Sequence, residues 1–292
     1  MPNKSIVAMA SVLSFLLFQI PYVSASEKRW EIPFKLGGEG IVVKGDIGKT
    51  RGLKFTVDTG ATFSLLDADV IKRLGLIAES QGSRILSLDT VTTPKKVLVT
   101  DLRFGPISAS LYFLQADLSD WGVDGMIGLD LLRRQSCLTD PKTHETLSNN
   151  KLTLDFQSRT IRFGRSQRLE YSVPIENDPR QIIVTAKILN RPLRLVVDTG
   201  ADMTTLFGKP DSIWIDTLPF VQSTVLPTLD GEGRARQVEL PNLELGSCHW
   251  GWTPGLVIST RLQPTDGLLS IHTLRLKILH FDFDRNTMSW NR

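Results

Sequence analysis

The sequence predicts a mostly β protein made of two copies of one unit facing each other across a local twofold axis. Three observations carry that expectation. The string Asp-Thr-Gly occurs twice in matched apolar surroundings, "FTVDTGATFSLL" at 55–66 and "LVVDTGADMTTL" at 195–206. Other features recur at nearly the same interval, and a shared period of this kind marks repeated architecture. The runs between them are short, rich in β-branched residues and separated by turn formers, as strands are.

The offsets are close to constant. Asp58 and Asp198 lie 140 positions apart. "LDTVTTPKKVLVTDLRFG" (88–105) aligns with "LDGEGRARQVELPNLELG" (229–246) at 141, and "DGMIGLDLLRR" (124–134) with "DGLLSIHTLRL" (266–276) at 142. "LDF" at 154–156 matches "FDF" at 281–283 at 127, so the first copy holds about fifteen extra residues near 136–150, which read as a loop.

From the N-terminus, Lys4, an apolar stretch from about Ile6 to Ile20, and Val23-Ser24-Ala25 have the form of a secretory signal peptide, residues 1–25, cut after Ala25. The run is short for a bilayer span and Pro21 ends it, so the mature chain is expected to be exported, periplasmic or secreted, without stable membrane insertion. The first unit then spans 26–166. "GIVVKG" and the run into Asp58 are strands joined by the Gly48-Lys49 turn, and "DADVIKRLG" and "LDLLRR" are short helices. The second unit spans 167–292, with "QIIVTAKI" and "LRLVVD" as strands around Leu189-Asn190 and "HTLRLK" as its helix. The junction falls near Gly164 to Leu169.

Composition narrows the partners. Of 292 residues, 34 are basic and 31 acidic, a net charge of +3, and they are mixed along the chain without a basic stripe, so nothing points to nucleic acid. Cys137 and Cys248 either bridge the two halves or stand as separate small residues, in a compartment that tolerates disulfides. Trp250 and Trp252 alternate as on a strand and are expected to pack in the core or between lobes. The four histidines are dispersed, no ligand spacing suggests a metal, and no G-x-S-x-G elbow or Cys-His pair offers a nucleophile. No cofactor is implied.

If both Asp-Thr-Gly turns sit at the local axis, Asp58 and Asp198 bring their carboxyl groups together. Two like charges a few ångströms apart resist joint ionisation, so the pair shares one proton and titrates in two coupled steps. That state suits hydrolysis of an amide: the carboxylate takes a proton from water while the protonated partner donates to the carbonyl oxygen. Gly60 and Gly200 allow backbone to approach the carboxylates, and the hydroxyls of Thr59 and Thr199 can bond across to the opposite turn.

Asp58-Thr59-Gly60-Ala61-Thr62, Asp198-Thr199-Gly200-Ala201-Asp202 and Met126-Ile127-Gly128 before a short helix resemble the aspartic proteases, specifically the retropepsin-like branch, in a fused single-chain, bilobal form. The resemblance covers nearly the whole mature chain. It implies two closed β-barrel lobes, an aspartic endopeptidase acting as a monomer on peptide or protein substrates, and catalytic Asp58 and Asp198. It implies that Gly128 supports the first turn and that Ala61, Ala201 and Asp202 contact substrate, Thr62 standing where the second copy has Asp202. It also implies flaps at about 84–97 and 225–238, and a mildly acidic optimum, since Ala61 and Ala201 lack the hydroxyl found there in pepsin-like enzymes. One departure is Ser270, which stands where the first copy has Gly128. A catalytically silent peptide-binding module of the same fold is the alternative reading.

Overall fold

The computed structural model describes residues 30–292, apart from 39, 81–84, 87–90, 134–137, 148–149, 210–211, 229–230 and 261. The signal-peptide reading, Cys137 and the tips of both flap segments lie outside the described residues. No helix among the described residues is long and apolar enough to cross a membrane. Strand accounts for 56% and helix for 9%, so the core has to form between sheets.

In the first half, six strands close on themselves. Gly40–Ile47 and Thr50–Val57 form a hairpin; Thr50–Val57 runs parallel to Gly125–Ile127, which pairs with Leu65–Asp67, then Ile107–Ala116, then Lys95–Phe104. The last strand returns to the first through Asp46↔Arg103 and Ile47↔Leu102, and the ring is complete. Its inward side chains, among them Phe55, Phe104, Phe113 and Leu102, are buried. Phe55 meets Phe104 edge-to-face at 5.4 Å between centroids, the geometry aromatic quadrupoles favour. The helix Ala68–Arg73 starts where Asp67 accepts from the Asp69 and Val70 amides, an N-cap arrangement.

The second half builds a nine-stranded sheet in which Ile183–Ile188, Arg191–Asp198, Gly267–Ser270, Thr204–Gly208, Thr253–Ser259 and Gly231–Leu240 follow one another. The expectation of a second closed barrel is corrected here: this sheet does not close. The strand Gly231–Leu240 stops at Pro241 and Asn242, and the chain resumes as Leu243–Leu245, which alone reaches Ile183–Ile188 through Lys187↔Glu244. Proline lacks the amide a ladder needs, and Asn242 takes the left-handed conformation, φ 49°. At the corresponding place the first barrel has only an irregularity, between Val99 and Leu102, and the strand is not parted.

Between the halves lies a six-stranded antiparallel platform in the order Tyr171–Pro174, Thr287–Asn291, Ile278–Asp282, Lys151–Asp155, Thr160–Phe163, Glu31–Gly37. The seam is the pairing of Lys151–Asp155 with Ile278–Asp282. Leu152, Leu154, Leu279, Phe281, Met288 and Trp290 are fully buried along it, each side chain contributing about 1.5–3 kcal/mol of apolar burial. His280, buried in the seam, bonds Thr153 Oγ1 across the two halves at 2.8 Å. Arg133 from the first half donates to the Asp178 carbonyl and lies over the Phe283 ring of the second, 4.9 Å from its centroid.

One packing expectation changes. Trp250 is buried and donates from Nε1 to the Leu274 carbonyl at 3.1 Å, but Trp252 is 64% exposed, because its strand ends at Trp250 and Gly251 breaks the alternation. Cys248 is a buried free thiol.

Candidate active site

The two Asp-Thr-Gly turns meet where the halves face each other. Each aspartate ends a strand held by a parallel neighbour: the Asp58 amide donates to the Ile127 carbonyl at 2.9 Å, and Asp198 pairs in register with Ser270. A reciprocal set of four hydrogen bonds locks the turns together. Thr59 N donates to Thr199 Oγ1 (3.0 Å) and Thr199 N to Thr59 Oγ1 (3.2 Å), while Thr59 Oγ1 donates to the Val197 carbonyl (2.7 Å) and Thr199 Oγ1 to the Val57 carbonyl (2.6 Å). Both threonines are completely buried. Removing either hydroxyl therefore strands a buried donor and acceptor, each worth about 1–3 kcal/mol.

That lock fixes the carboxyl groups. Gly60 N and Ala61 N donate to Asp58 Oδ1 at 2.7 and 3.2 Å, and Gly200 N and Ala201 N donate to Asp198 Oδ1 at 2.7 and 2.9 Å. The two carboxyls lie close together, each against the glycine of the opposite turn, and each shifts the other's titration. There is no room for side chains at the glycines: a Cβ on Gly60 would lie 2.5 Å from Asp198 Oδ2, and one on Gly200 3.0 Å from Asp58 Oδ2. Burial raises the pKa of Asp58 from the ordinary carboxylate value, although its bonds to the Gly60 amide and Asp198 oppose the shift. Asp198 is raised well above that value by burial and then by the charge of Asp58.

The turns are supported from behind by different means. Gly128 packs so closely on the first loop that a Cβ there would lie 2.7 Å from the Phe63 carbonyl carbon. Its amide donates to Ser64 Oγ at 3.0 Å, Ser64 Oγ donates to Asp130 Oδ1 at 2.7 Å, and the Leu129 amide donates to the Ala61 carbonyl at 2.9 Å. At Ser270 the hydroxyl itself donates to the Ala201 carbonyl at 2.5 Å and accepts from the His272 and Thr273 amides, so it caps the helix Ile271–Leu274. The serine thus supplies from its side chain the bond that Leu129 supplies from its backbone. Ser64, Asp130, Thr204 and Thr273 were not singled out from the sequence, although Ser64 and Thr204, each six residues past its aspartate, were a usable signal.

Apolar neighbours flank each turn. Ala61 packs with Ile85 and Trp121 against Leu65, Leu114, Leu118, Val123 and Met126. Met203 packs with Leu226 against Ala235, Leu256 and Ile258. Ile85 lies in the short hairpin Ile85–Leu86/Val91–Thr92, and Leu226 in the long hairpin Phe220–Thr228/Gly231–Leu240, so each flap segment sets an apolar side chain beside one turn. Thr62 Oγ1 donates to the Arg180 carbonyl at 3.0 Å, whereas Asp202 is exposed. Among the described residues, no three His, Cys, Asp or Glu side chains converge as a metal site.

In comparison with known proteins, residues 43–131 match a family described as aspartyl protease. No curated protein matches the chain.

Proposed function

Starting from a first lobe whose closed barrel and family match fit a retropepsin-like aspartic protease, we propose that the chain is an aspartic endopeptidase in which Asp58 and Asp198 together activate water. The observation that carries this is the reciprocal threonine lock, which holds two buried carboxyl groups so close that each resists the other's ionisation. A fold with no use for the pair would gain by replacing one of them.

The two carboxyls share one proton and titrate as a pair; with that proton drawn on Asp198, Asp58 is the ionised partner. Asp58 takes a proton from a water held between the two while the water oxygen bonds to the peptide carbonyl carbon. Asp198 gives its proton to the carbonyl oxygen, and a neutral geminal diol results. Collapse of the diol breaks the C–N bond as Asp58 returns its proton to the leaving nitrogen and Asp198 recovers one from a diol hydroxyl. The amides of residues 60, 61, 200 and 201 hold the carboxyls in place throughout.

The substrate is an extended peptide held under the two hairpins. The absence of a hydroxyl at Ala61 and Ala201 supports a mildly acidic optimum, and residues 1–25 support export to a periplasm or the outside. Ser270, the one sequence feature favouring a silent binding module, keeps the second turn bonded.

The test is cleavage of an unbiased peptide mixture by residues 26–292, from acid to neutral pH, read by mass spectrometry beside Asp58→Asn and Asp198→Asn. Cleavage lost in both variants is expected. A folded protein that cuts nothing but still binds peptide would overturn catalysis in favour of the binding module.

A further inference from the structure

Away from the aspartates, the long hairpin has a second face. The strand Phe220–Thr228 ends the nine-stranded sheet among the described residues, so no further strand pairs with its outer side. The register Ser223↔Arg236, Val225↔Arg234 and Arg236↔Val257 sets these side chains in rows on one face, because partners in an antiparallel pair project to the same side. Leu226, Ala235 and Leu256, in the cluster beside Met203, belong to the opposite face. The face away from the turns curls into a groove of about 630 Å³, lined by Ser223, Val225, Arg234, Arg236, Val257 and Ser259, among others.

Its chemistry is specific. Val257 is the buried floor, Val225 on the rim is 53% exposed and Val221 beyond it 46%. Arg236 is already neutralised by Asp216 at 2.8 Å. Arg234, two residues away on the same face, is exposed and makes no ion pair among the described residues. A volume within the usual range of ligand sites thus combines an uncompensated guanidinium, two serine hydroxyls, exposed valines and a bare strand edge. A carboxylate matches the planar guanidinium, and an extended backbone matches the edge.

We propose that this groove is a docking site, separate from the aspartate cleft, for an extended acidic peptide segment. The segment adds as a strand beside Phe220–Thr228, sets a carboxylate on Arg234 and rests an apolar side chain on Val225.

The test uses the full mature chain carrying Asp58→Asn, so that the probe survives, and a fluorescent decapeptide of alternating Asp and Val, with an Asp-to-Lys counterpart as control. Anisotropy should show binding of the acidic probe only, weakening as salt rises. Arg234→Glu should weaken it by at least about tenfold, and Val225→Asp should weaken it too, with circular dichroism confirming that both variants stay folded. N-methylation of alternate probe amides should abolish binding. No binding, equal binding of the basic probe, or affinity untouched by Arg234→Glu would overturn the site. So would displacement by a hydroxyl-containing peptidomimetic directed at the aspartates, which would mean that the probe lies in the cleft. Because binding is read without turnover, its failure is distinguishable from failure of the proteolytic reading.

Discussion

At Asp198 the cost of the site can be measured as stability. Its proton affinity in the folded chain is raised by burial and by Asp58, whereas in the unfolded chain it titrates near the ordinary value of about 3.9. The folded state therefore holds the proton at pH values where the unfolded chain has released it. The resulting stability is complete below the unfolded value and is lost as pH rises through the raised one. Urea denaturation from pH 4 upward should show the wild type losing stability relative to Asp198→Asn, which cannot ionise; parallel pH profiles would refute the shared-proton assignment. At this scale the sequence was highly legible. Two Asp-Thr-Gly strings in matched contexts pointed to residues 58–60 and 198–200, and the structure brings the two turns together with threonine hydroxyls bonded across and no room for a Cβ at either glycine. Ser64 and Asp130 were missed because their partnership needs a loop and a helix 66 positions apart to meet, which no local pattern records.

Among the elements, the helix Ile271–Leu274 and the loop at Ala201 depend on one hydroxyl. Ser270→Ala should cost about 1 kcal/mol as a lost N-cap, and should lower kcat more than it raises KM, because the Ala201 carbonyl loses its donor while the peptide-binding walls remain. Ser270→Thr should restore much of both; a variant with unchanged kcat would show that the loop is held by other contacts. The departure from glycine was visible in the sequence, but its resolution was not, since only the backbone angles at Ser270 turn the side chain toward Ala201. The open second sheet was more legible than its reading: Pro241 and Asn242 sit inside an alternating run, and a proline there argues against an unbroken strand. Trp252 was misplaced for a similar reason, because Gly251 ends the alternation that put it beside Trp250.

For the molecule as a whole, the decisive element is the platform, and little in the sequence announced it. The "LDF" and "FDF" strings were read as equivalent ends of two units, and these ends pair symmetrically across a shared sheet, Leu152 with Phe281 and Leu154 with Leu279, but nothing local in the sequence says that the two ends meet. Periodicity reports which face of a strand is buried but not which strand lies beside it. Removing residues 278–292 should leave the first barrel formed but the Lys151–Asp155 edge bare, and light scattering should show the truncated chain aggregating where the full chain stays dispersed. A truncated chain that stays dispersed would mean that the platform is dispensable. The same feature orders events during synthesis. The strands that close the first barrel are all available once residue 127 has been made, whereas Lys151–Asp155, paired early with Thr160–Phe163 on one edge, must wait for the partner of its other edge more than a hundred residues downstream. The final strands are thus a latch: Asp58 and Asp198 are both made well before the end, but the seam between the two halves closes only when the last stretch of chain arrives.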